Sequence, residues 1–172
     1  MKKTLIFLLS FALVTGCSSD DEQVDNEEEN QNGFTFNNSF FSAGNVYVND
    51  ENIENDEQSD IAIIMSNVDL FTVNQSSNVN FVYFDFKGVD IQEGTITNVT
   101  DYRILYDASV NDSRVENGMT IINDTEDGLT ASSTTIVINS VSSTDIDFEF
   151  TFIKENGDVI NGNYSGGYTE LN

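Results

Sequence analysis

The chain has 172 residues with 30 acidic and 6 basic side chains, so its formal net charge at pH 7 is −24. A field of this sign repels phosphate groups, which excludes a nucleic-acid partner. The sequence holds no histidine and only one cysteine, which excludes Ser-His-Asp and Cys-His catalysis, zinc sites built from His and Cys, and a disulfide within the chain.

Residues 1–16 have the layout of a secretory signal peptide. Lys2 and Lys3 form a short basic segment, residues 5–14 are apolar except for Ser10, and small residues follow. The apolar segment is about half as long as the roughly 20 residues that a membrane-spanning helix needs. We therefore expect cleavage after residue 16 and export of the remaining chain.

The cleavage site Val14-Thr15-Gly16-Cys17 resembles a bacterial lipobox, with Val14 in place of the commoner leucine. The resemblance implies cleavage before Cys17, a diacylglycerol thioether on its sulfur, and a fatty acyl chain such as palmitate on the new amino group. Each CH₂ buried in lipid contributes about 0.8 kcal/mol, so two or three chains hold a protein firmly on a membrane. We therefore expect Cys17 to be the lipidated residue and the membrane to be a partner.

Ser18, Ser19, Asp20, Asp21 and Glu22 directly follow the expected lipidation site. This segment resembles the surface-export signal of Bacteroidota lipoproteins, in which acidic residues soon after the cysteine send the protein to the outer leaflet. The resemblance implies an outer-membrane lipoprotein that is exposed at the cell surface. The alternative is that these acids belong to a solvated linker and that the protein stays on the periplasmic face.

Residues 17–32 are expected to form the lipidated cysteine and an acidic, disordered tether. The stretch 18–32 contains a single apolar residue, Val24, so it cannot bury enough surface to offset the entropy of ordering. The rest of the chain, residues 33–172, has the size of one domain.

The sequence from residue 33 onward predicts an all-β domain, a single antiparallel sandwich or barrel of about eight to ten short strands. Its β-branched and aromatic runs are separated by Asn, Asp, Gly and Ser turns. The candidate strands cover residues 34–41, 45–49, 60–66, 79–88, 94–100, 102–107, 118–124, 133–141, 145–153 and 158–171. In the run 145–153, Ile146, Phe148, Phe150 and Phe152 alternate with other residues, which predicts one buried face.

The segment 153–160 predicts a β-hairpin, because Asn156-Gly157 lies between two β runs and suits a tight turn with positive φ. The ending INGNYSGGY, residues 160–168, is similar to the last strands of many small Bacteroidota surface lipoproteins of unassigned function. That resemblance implies a β-domain and no particular chemistry.

Calcium is the one metal that the sequence indicates, because two loops are rich in oxygen ligands. Ca²⁺ takes six to eight oxygens, and the loop 49–60 offers a set of candidates: Asp50, Asn52, Glu54, Asp56 and Asp60. A second acidic cluster, NDTEDG, covers residues 123–128. Neither loop fits the EF-hand pattern. The alternative is that both are solvated acidic loops.

Four aromatic residues form a candidate ligand face: Phe81 and Tyr83 in one strand, Tyr102 and Tyr106 in another. A sandwich strand buries one of its faces fully. Aromatic side chains on the opposite face must therefore be covered by a loop, line a cavity, or form an exposed patch, and such patches mark binding sites. The alternative is burial on both faces.

These observations favour a surface lipoprotein that is not an enzyme and that binds or presents a glycan or protein ligand at the outer membrane. One alternative is a small glycoside hydrolase with paired carboxylates, for which Asp85 and Glu149 stand out because each lies among aromatics within a strand. Another is a carrier that holds an apolar ligand inside a β-barrel.

Overall fold

The computed structural model describes residues 31–51 and 57–171. The signal peptide, Cys17, the export signal and most of the tether lie outside the described residues, so those expectations stay predictions. None of the described residues forms a helix of the length and hydropathy that a membrane span requires.

The described part of the chain contains thirteen strands, which form two sheets. In chain order they are β1 (Gly33–Phe36), β2 (Ser39–Ser42), β3 (Asn45–Asp50), β4 (Ser59–Ser66), β5 (Gln75–Gly88), β6 (Gly94–Ile96), β7 (Val99–Asn111), β8 (Arg114–Glu116), β9 (Met119–Asn123), β10 (Ala131–Val141), β11 (Asp145–Lys154), β12 (Val159–Gly167) and β13 (Thr169–Leu171). The first sheet has the order β2-β1-β12-β11-β10-β6 and the second β13-β3-β4-β5-β7-β8, with β9 also paired to β7.

The two sheets are open and pack face to face as a β-sandwich. Neighbouring strands are antiparallel, apart from β13, which pairs in parallel with β3. The predicted all-β class is therefore confirmed, and of its two architectures the structure has the sandwich. The strand count exceeds the expected eight to ten because five strands have only three or four residues.

Three of the expected strands are each divided in the structure. The run 158–171 gives β12 of the first sheet and β13 of the second. The run 34–41 is a hairpin of β1 and β2, turned by Asn37 and Asn38 with φ of 50° and 62°. Asparagine tolerates this left-handed conformation better than most residues, because its short amide side chain bonds locally. The run 94–100 divides after Ile96, since β6 pairs with β10 in the first sheet whereas β7 belongs to the second.

The predicted hairpin between β11 and β12 is confirmed, with Ile153 opposite Val159. The connection has four residues, 155–158, and Gly157 in it has φ of +90°. The Gly157 N–H donates to the Lys154 carbonyl at 2.9 Å, and the Lys154 N–H donates to the Asp158 carbonyl at 2.9 Å. A glycine at this position avoids the steric cost of positive φ.

The core lies between the sheets and is dense in aromatic rings. Ile146, Phe148, Phe150 and Phe152 are buried together, as their alternation predicts. From the second sheet, the ring of Phe84 lies 6.0, 5.6 and 6.2 Å from the rings of Phe148, Phe150 and Phe152, measured between centroids. Each buried Phe contributes about 1.5–3 kcal/mol, so this contact is a main source of cohesion between the sheets.

A smaller core lies on the outer face of the second sheet, under the loop of residues 67–74. Leu70 of this loop is buried against Tyr47, Val79 and Leu105. The Tyr47 hydroxyl donates to Asp69 Oδ1 at 2.8 Å and accepts the Leu70 N–H at 3.1 Å, which fixes the loop to β3. The loop therefore covers part of the outer face of the second sheet, whereas the outer face of the first sheet stays open to solvent.

Candidate functional site

The outer face of the first sheet carries a shallow depression, which we call the outer groove. Its floor is formed by alternate residues of β1, β12 and β11, whose side chains point away from the core. One row of Cα partners across these strands is Phe40, Thr35, Asn161 and Thr151, and the next is Gly33, Asn163 and Glu149. All of these residues except Gly33 line a cavity of about 330 Å³, together with Asn139, Asp147 and Ser165.

Phe40 is the aromatic wall of the outer groove, and its side chain is 42% exposed. Its ring lies over Gly33, where a Cβ atom would come within 2.8 Å of the Phe40 Cζ atom. The missing side chain at Gly33 therefore lets the ring lie against the sheet. A ligand that covers this ring removes apolar area from water, which favours binding.

Hydrogen bonds hold the polar side chains of the outer groove in fixed orientations. Thr151 Oγ1 donates to Asn161 Oδ1 at 2.9 Å, and Asn139 Nδ2 donates to Asp147 Oδ1 at 2.7 Å. At one end, Asn32 bonds to both backbone groups of Ser165, at 3.1 and 2.9 Å. The groove is therefore a preformed surface, and the chain leading to the predicted anchor enters the domain at this end.

A second depression continues the outer groove beyond Phe40. It has a volume of about 650 Å³ and shares Thr35, Phe40 and Asn161 with the first cavity. It ends at the β1–β2 turn and at the turn that contains Gly157 and Asp158. Phe40 thus stands between two adjoining cavities, and the groove extends along β1 and β12 from the Asn32 end to the opposite turns.

Three carboxyl groups meet on the outer face of the second sheet, and we call them the acid cluster: Asp85, Asp101 and Asp124. Asp85 on β5 and Asp101 on β7 are Cα partners, and Asp124 lies just after β9. Burial, a hydrogen bond to Asp124 and the nearby charges raise the pKa of Asp101 to about 6. A hydrogen bond between two carboxyl groups needs a proton on one of them, so this contact favours the neutral form of Asp101.

The neighbours of the acid cluster are polar and well bonded. The Tyr83 hydroxyl donates to Asp85 Oδ2 at 3.0 Å, and the Thr100 hydroxyl donates to Asp85 Oδ1. Burial, with this bond to Asp85, raises the pKa of Tyr83 well above its ordinary value. Arg103 is the Cα partner of Tyr83, and its buried Nε atom has no hydrogen-bond partner in the part of the chain that the structure describes.

The second acidic loop, residues 123–128, positions Asp124. Asn123 is buried, and its Oδ1 atom accepts bonds from both the N–H and the hydroxyl of Thr125, at 3.1 and 3.0 Å. Its Nδ2 atom donates to Glu126 Oε1 at 2.8 Å. The side chain of Asn123 thus closes the turn after β9, which fixes Asp124 next to Asp101.

The structure does not bring the four aromatics of the expected ligand face together. Phe81 and Tyr83 lie on the outer side of the second sheet, and Phe81 packs against the smaller core under the loop 67–74. Tyr102 is buried between the sheets, where its hydroxyl accepts the Ala131 N–H at 2.8 Å. Tyr106 packs at the edge of the main core, 5.0 Å from the ring of Phe41.

Asp85 and Glu149 cannot act as a pair, because they lie on opposite outer faces of the sandwich. Their strand neighbours Phe84 and Phe148 point into the core from the two sheets and meet there. Since side chains alternate along a strand, both acids point outward and away from each other.

Of the predicted calcium ligands, Asn52, Glu54 and Asp56 lie outside the described residues. Asp50 accepts a hydrogen bond from Ser59 at 3.0 Å, and Asp60 forms a salt bridge with Lys87 at 2.6 Å. Among residues 31–51 and 57–171, no group of three or more His, Cys, Asp or Glu side chains is placed to hold a metal ion. Calcium binding at the loop 49–60 stays a prediction.

Comparison of the chain with protein-family models, with curated proteins and with solved structures found no match. The candidate sites therefore depend on the geometry alone. The outer groove had a signal in the sequence, since Asp147, Glu149 and Thr151 alternate with buried residues on β11. The contact between Asp101 and Asp124 had no such signal in the sequence, because it depends on how β7 pairs with β9.

Proposed function

We propose that the chain is a membrane-anchored lipoprotein of the outer membrane, whose β-sandwich binds or presents a ligand at the cell surface without catalysing a reaction. The observation that carries the anchor is Val14-Thr15-Gly16-Cys17 at the end of a short apolar segment. Cys17 is the only cysteine of the sequence, which fits its role as the residue that carries the acyl chains. It also leaves no partner for a disulfide within the chain. The acids at 20–22 favour the surface over the periplasmic face.

The outer groove supports the binding part of this proposal. It combines a preformed polar floor with the exposed ring of Phe40, and such a mixture of fixed polar groups and apolar area is typical of ligand sites. Catalysis has less support, because the hydrogen-bonded carboxyls of Asp101 and Asp124 lie closer than the roughly 5–9.5 Å that separates the paired carboxyls of glycosidases. The space between the sheets is filled by phenylalanine rings, which gives no support to an apolar carrier.

The anchor is tested with Cys17→Ala in the full chain. We expect the variant to lose labelling by a fatty-acid probe and to leave the membrane fraction, because no acyl chain can be attached. Ser19→Ala, two residues away, serves as the matched control and should keep both properties. A Cys17→Ala variant that still fractionates with membranes like the wild type would show that the anchor is elsewhere.

The surface location is tested by changing Asp20, Asp21 and Glu22 together to alanine. Lipid labelling should persist, whereas the domain should become protected from protease added to whole cells. The control changes Glu27, Glu28 and Glu29 to alanine, which removes the same charge farther from the anchor. Equal protease sensitivity of the two variants and the wild type would favour the periplasmic face or a different export signal.

A further inference from the structure

We propose that the outer groove binds a neutral oligosaccharide, as an internal stretch of a polysaccharide chain, with Phe40 as the stacking ring. This inference rests on the proposed function, in which the domain binds a ligand at the cell surface. It assigns that function to one face of the sandwich and to one chemical class of ligand.

The lining of the outer groove has the chemistry that sugar hydroxyls require. Asn161, Asn139 and Glu149 present amide and carboxylate groups, each of which offers paired acceptors, or a donor beside an acceptor, in one plane. Neighbouring hydroxyls of a pyranose can bond to such a plane two at a time. The flat C–H face of the same ring can cover the exposed side chain of Phe40, which removes apolar area from water.

The charge of the outer groove selects against anionic ligands. Asp147, Glu149 and Asp158 line the two cavities, and no lysine or arginine is among their described lining residues. The whole chain has a formal charge of −24, so a sulfated or uronic-acid polymer would be repelled. A neutral polymer is bound by hydrogen bonds and stacking, which this field does not oppose.

A peptide fits the outer groove less well than a glycan does. Peptides that add to a sheet bond to the unpaired backbone of an edge strand. The floor of the groove is instead the side-chain face of β1, β12 and β11, whose backbones already bond to one another. A ligand on this floor must therefore be recognised by side chains, and it must supply its own hydrogen-bonding groups at close spacing.

The shape of the outer groove indicates a chain-like ligand. The two cavities, of about 330 and 650 Å³, adjoin at Phe40, and both volumes lie in the range of roughly 300–1,000 Å³ typical of small-molecule sites. Together they run from the Asn32 end of β1 to the turn at Asn37 and Asn38. A single sugar would occupy a fraction of this length, whereas several linked sugars would lie along it and pass over Phe40.

The experiment measures binding of the full lipidated chain, purified in detergent, to immobilised polymers. The panel holds neutral glucans, mannans, xylans and galactans, then sulfated and uronic-acid polymers, and finally an oligolysine peptide. We expect binding to at least one neutral polymer, with little dependence on salt, and no binding to the anionic polymers. Phe40→Ala should raise the Kd at least tenfold, and Glu149→Ala should raise it as well.

Phe71→Ala is the matched control, because Phe71 is also an exposed phenylalanine, 53% exposed, but lies on the loop of the second sheet. It should leave the Kd unchanged. Melting curves of all three variants show whether each is folded, and both Phe40 and Glu149 are exposed enough for their removal to preserve the fold.

Three outcomes would overturn this inference. These are binding to no neutral polymer, binding to oligolysine alone, and binding to a neutral polymer that Phe71→Ala weakens while Phe40→Ala and Glu149→Ala do not. The second outcome would indicate a different class of ligand, and the third a different binding site, while the proposed binding function would stand in both cases. The proposed function itself fails separately, through the fractionation of Cys17→Ala.

Discussion

The ring of Phe150 on β11 occupies the space that a side chain at Gly162 on β12 would need. The two residues are Cα partners, and a Cβ atom at Gly162 would lie 2.2 Å from the Phe150 Cζ atom. The glycine is required by this close approach, since the Phe150 ring lies against the Gly162 backbone and reaches Phe84 across the core. Gly162, the first glycine of the INGNYSGGY ending, therefore has a packing role.

Gly162→Ala should destabilise the domain by about 1–3 kcal/mol, the usual cost of overpacking a core. The Phe150 ring must shift, and with it the contact between the sheets. Urea unfolding of the full chain measures the change. Gly167→Ala on the same strand is the control, because its Cβ would lie 3.5 Å from its nearest neighbour, the Thr144 carbonyl oxygen. Equal losses at both positions would contradict the assigned contact.

Phe150→Ala should lower the free energy of unfolding by about 3–5 kcal/mol, since the ring is fully buried and its removal leaves a cavity. Thr151→Ala, one residue along β11, should cost less than about 1 kcal/mol, because Thr151 faces the outer groove and loses one partly exposed hydrogen bond. Urea denaturation reports both. A register shifted by one residue would reverse the order of the two losses.

Asp101→Asn should stabilise the protein at neutral pH. The native pKa of Asp101 is about 6, against 3.8 for an unperturbed carboxyl, so the native state holds this proton over a range where the unfolded state has lost it. The free energy of unfolding therefore falls as pH rises from about 4 to 6, and stays reduced above that range. Asparagine mimics the neutral acid and avoids this loss.

We expect a gain of about 1 kcal/mol for Asp101→Asn at pH 7.5, because solvent screens a partly exposed group. The gain should shrink toward zero near pH 4, where wild-type Asp101 is protonated. Melts over this pH range test it, with Glu93→Gln, an exposed acid before β6, as a control for net charge. A gain that does not depend on pH would mean that the charge of Asp101 is not its cause, and an equal gain from Glu93→Gln would point to generic charge relief.

Tyr47→Phe should loosen the loop 67–74 by removing the hydroxyl that bonds to both Asp69 and Leu70. Burial and the bond to Asp69 raise the pKa of Tyr47 to about 12, so the hydroxyl stays a donor at all ordinary pH values. The variant leaves a buried N–H at Leu70 without its partner, which costs about 1–3 kcal/mol.

Hydrogen exchange should locate the effect of Tyr47→Phe, with faster exchange at the amides of Leu70 and Phe71. The control is Tyr106→Phe, because the Tyr106 hydroxyl has no hydrogen-bond partner in the described part of the chain and its ring packs on Phe41. If the Tyr47→Phe variant shows unchanged exchange in the loop 67–74, packing of Leu70 alone holds the loop in place.

The parts of this protein that could be predicted from its sequence are those that depend on neighbouring residues. The segment that resembles a lipobox and the acids behind it are linear patterns, and the anchor and export that they indicate stay predictions. Alternation on β11 depends only on the two-residue period of a strand, so Phe150 and Phe152 were correctly placed in the core. The turn at Gly157 followed from the tolerance of glycine for positive φ. These local rules hold whatever the rest of the chain does.

The tertiary structure decided everything that depends on which strands become neighbours. Val99 begins a strand of the second sheet whereas Ile96 ends one in the first, a division that follows from pairing partners far along the chain. Phe81 is covered because the loop 67–74 folds back over its face, and Asp101 meets Asp124 because β9 pairs with β7. The outer groove likewise assembles β1 and β2 from the start of the domain with β11 and β12 from its end. Such contacts form because the packing energy of the whole sandwich offsets the entropy of closing long loops. Both quantities depend on residues far apart in the chain, so no short window of sequence predicts them.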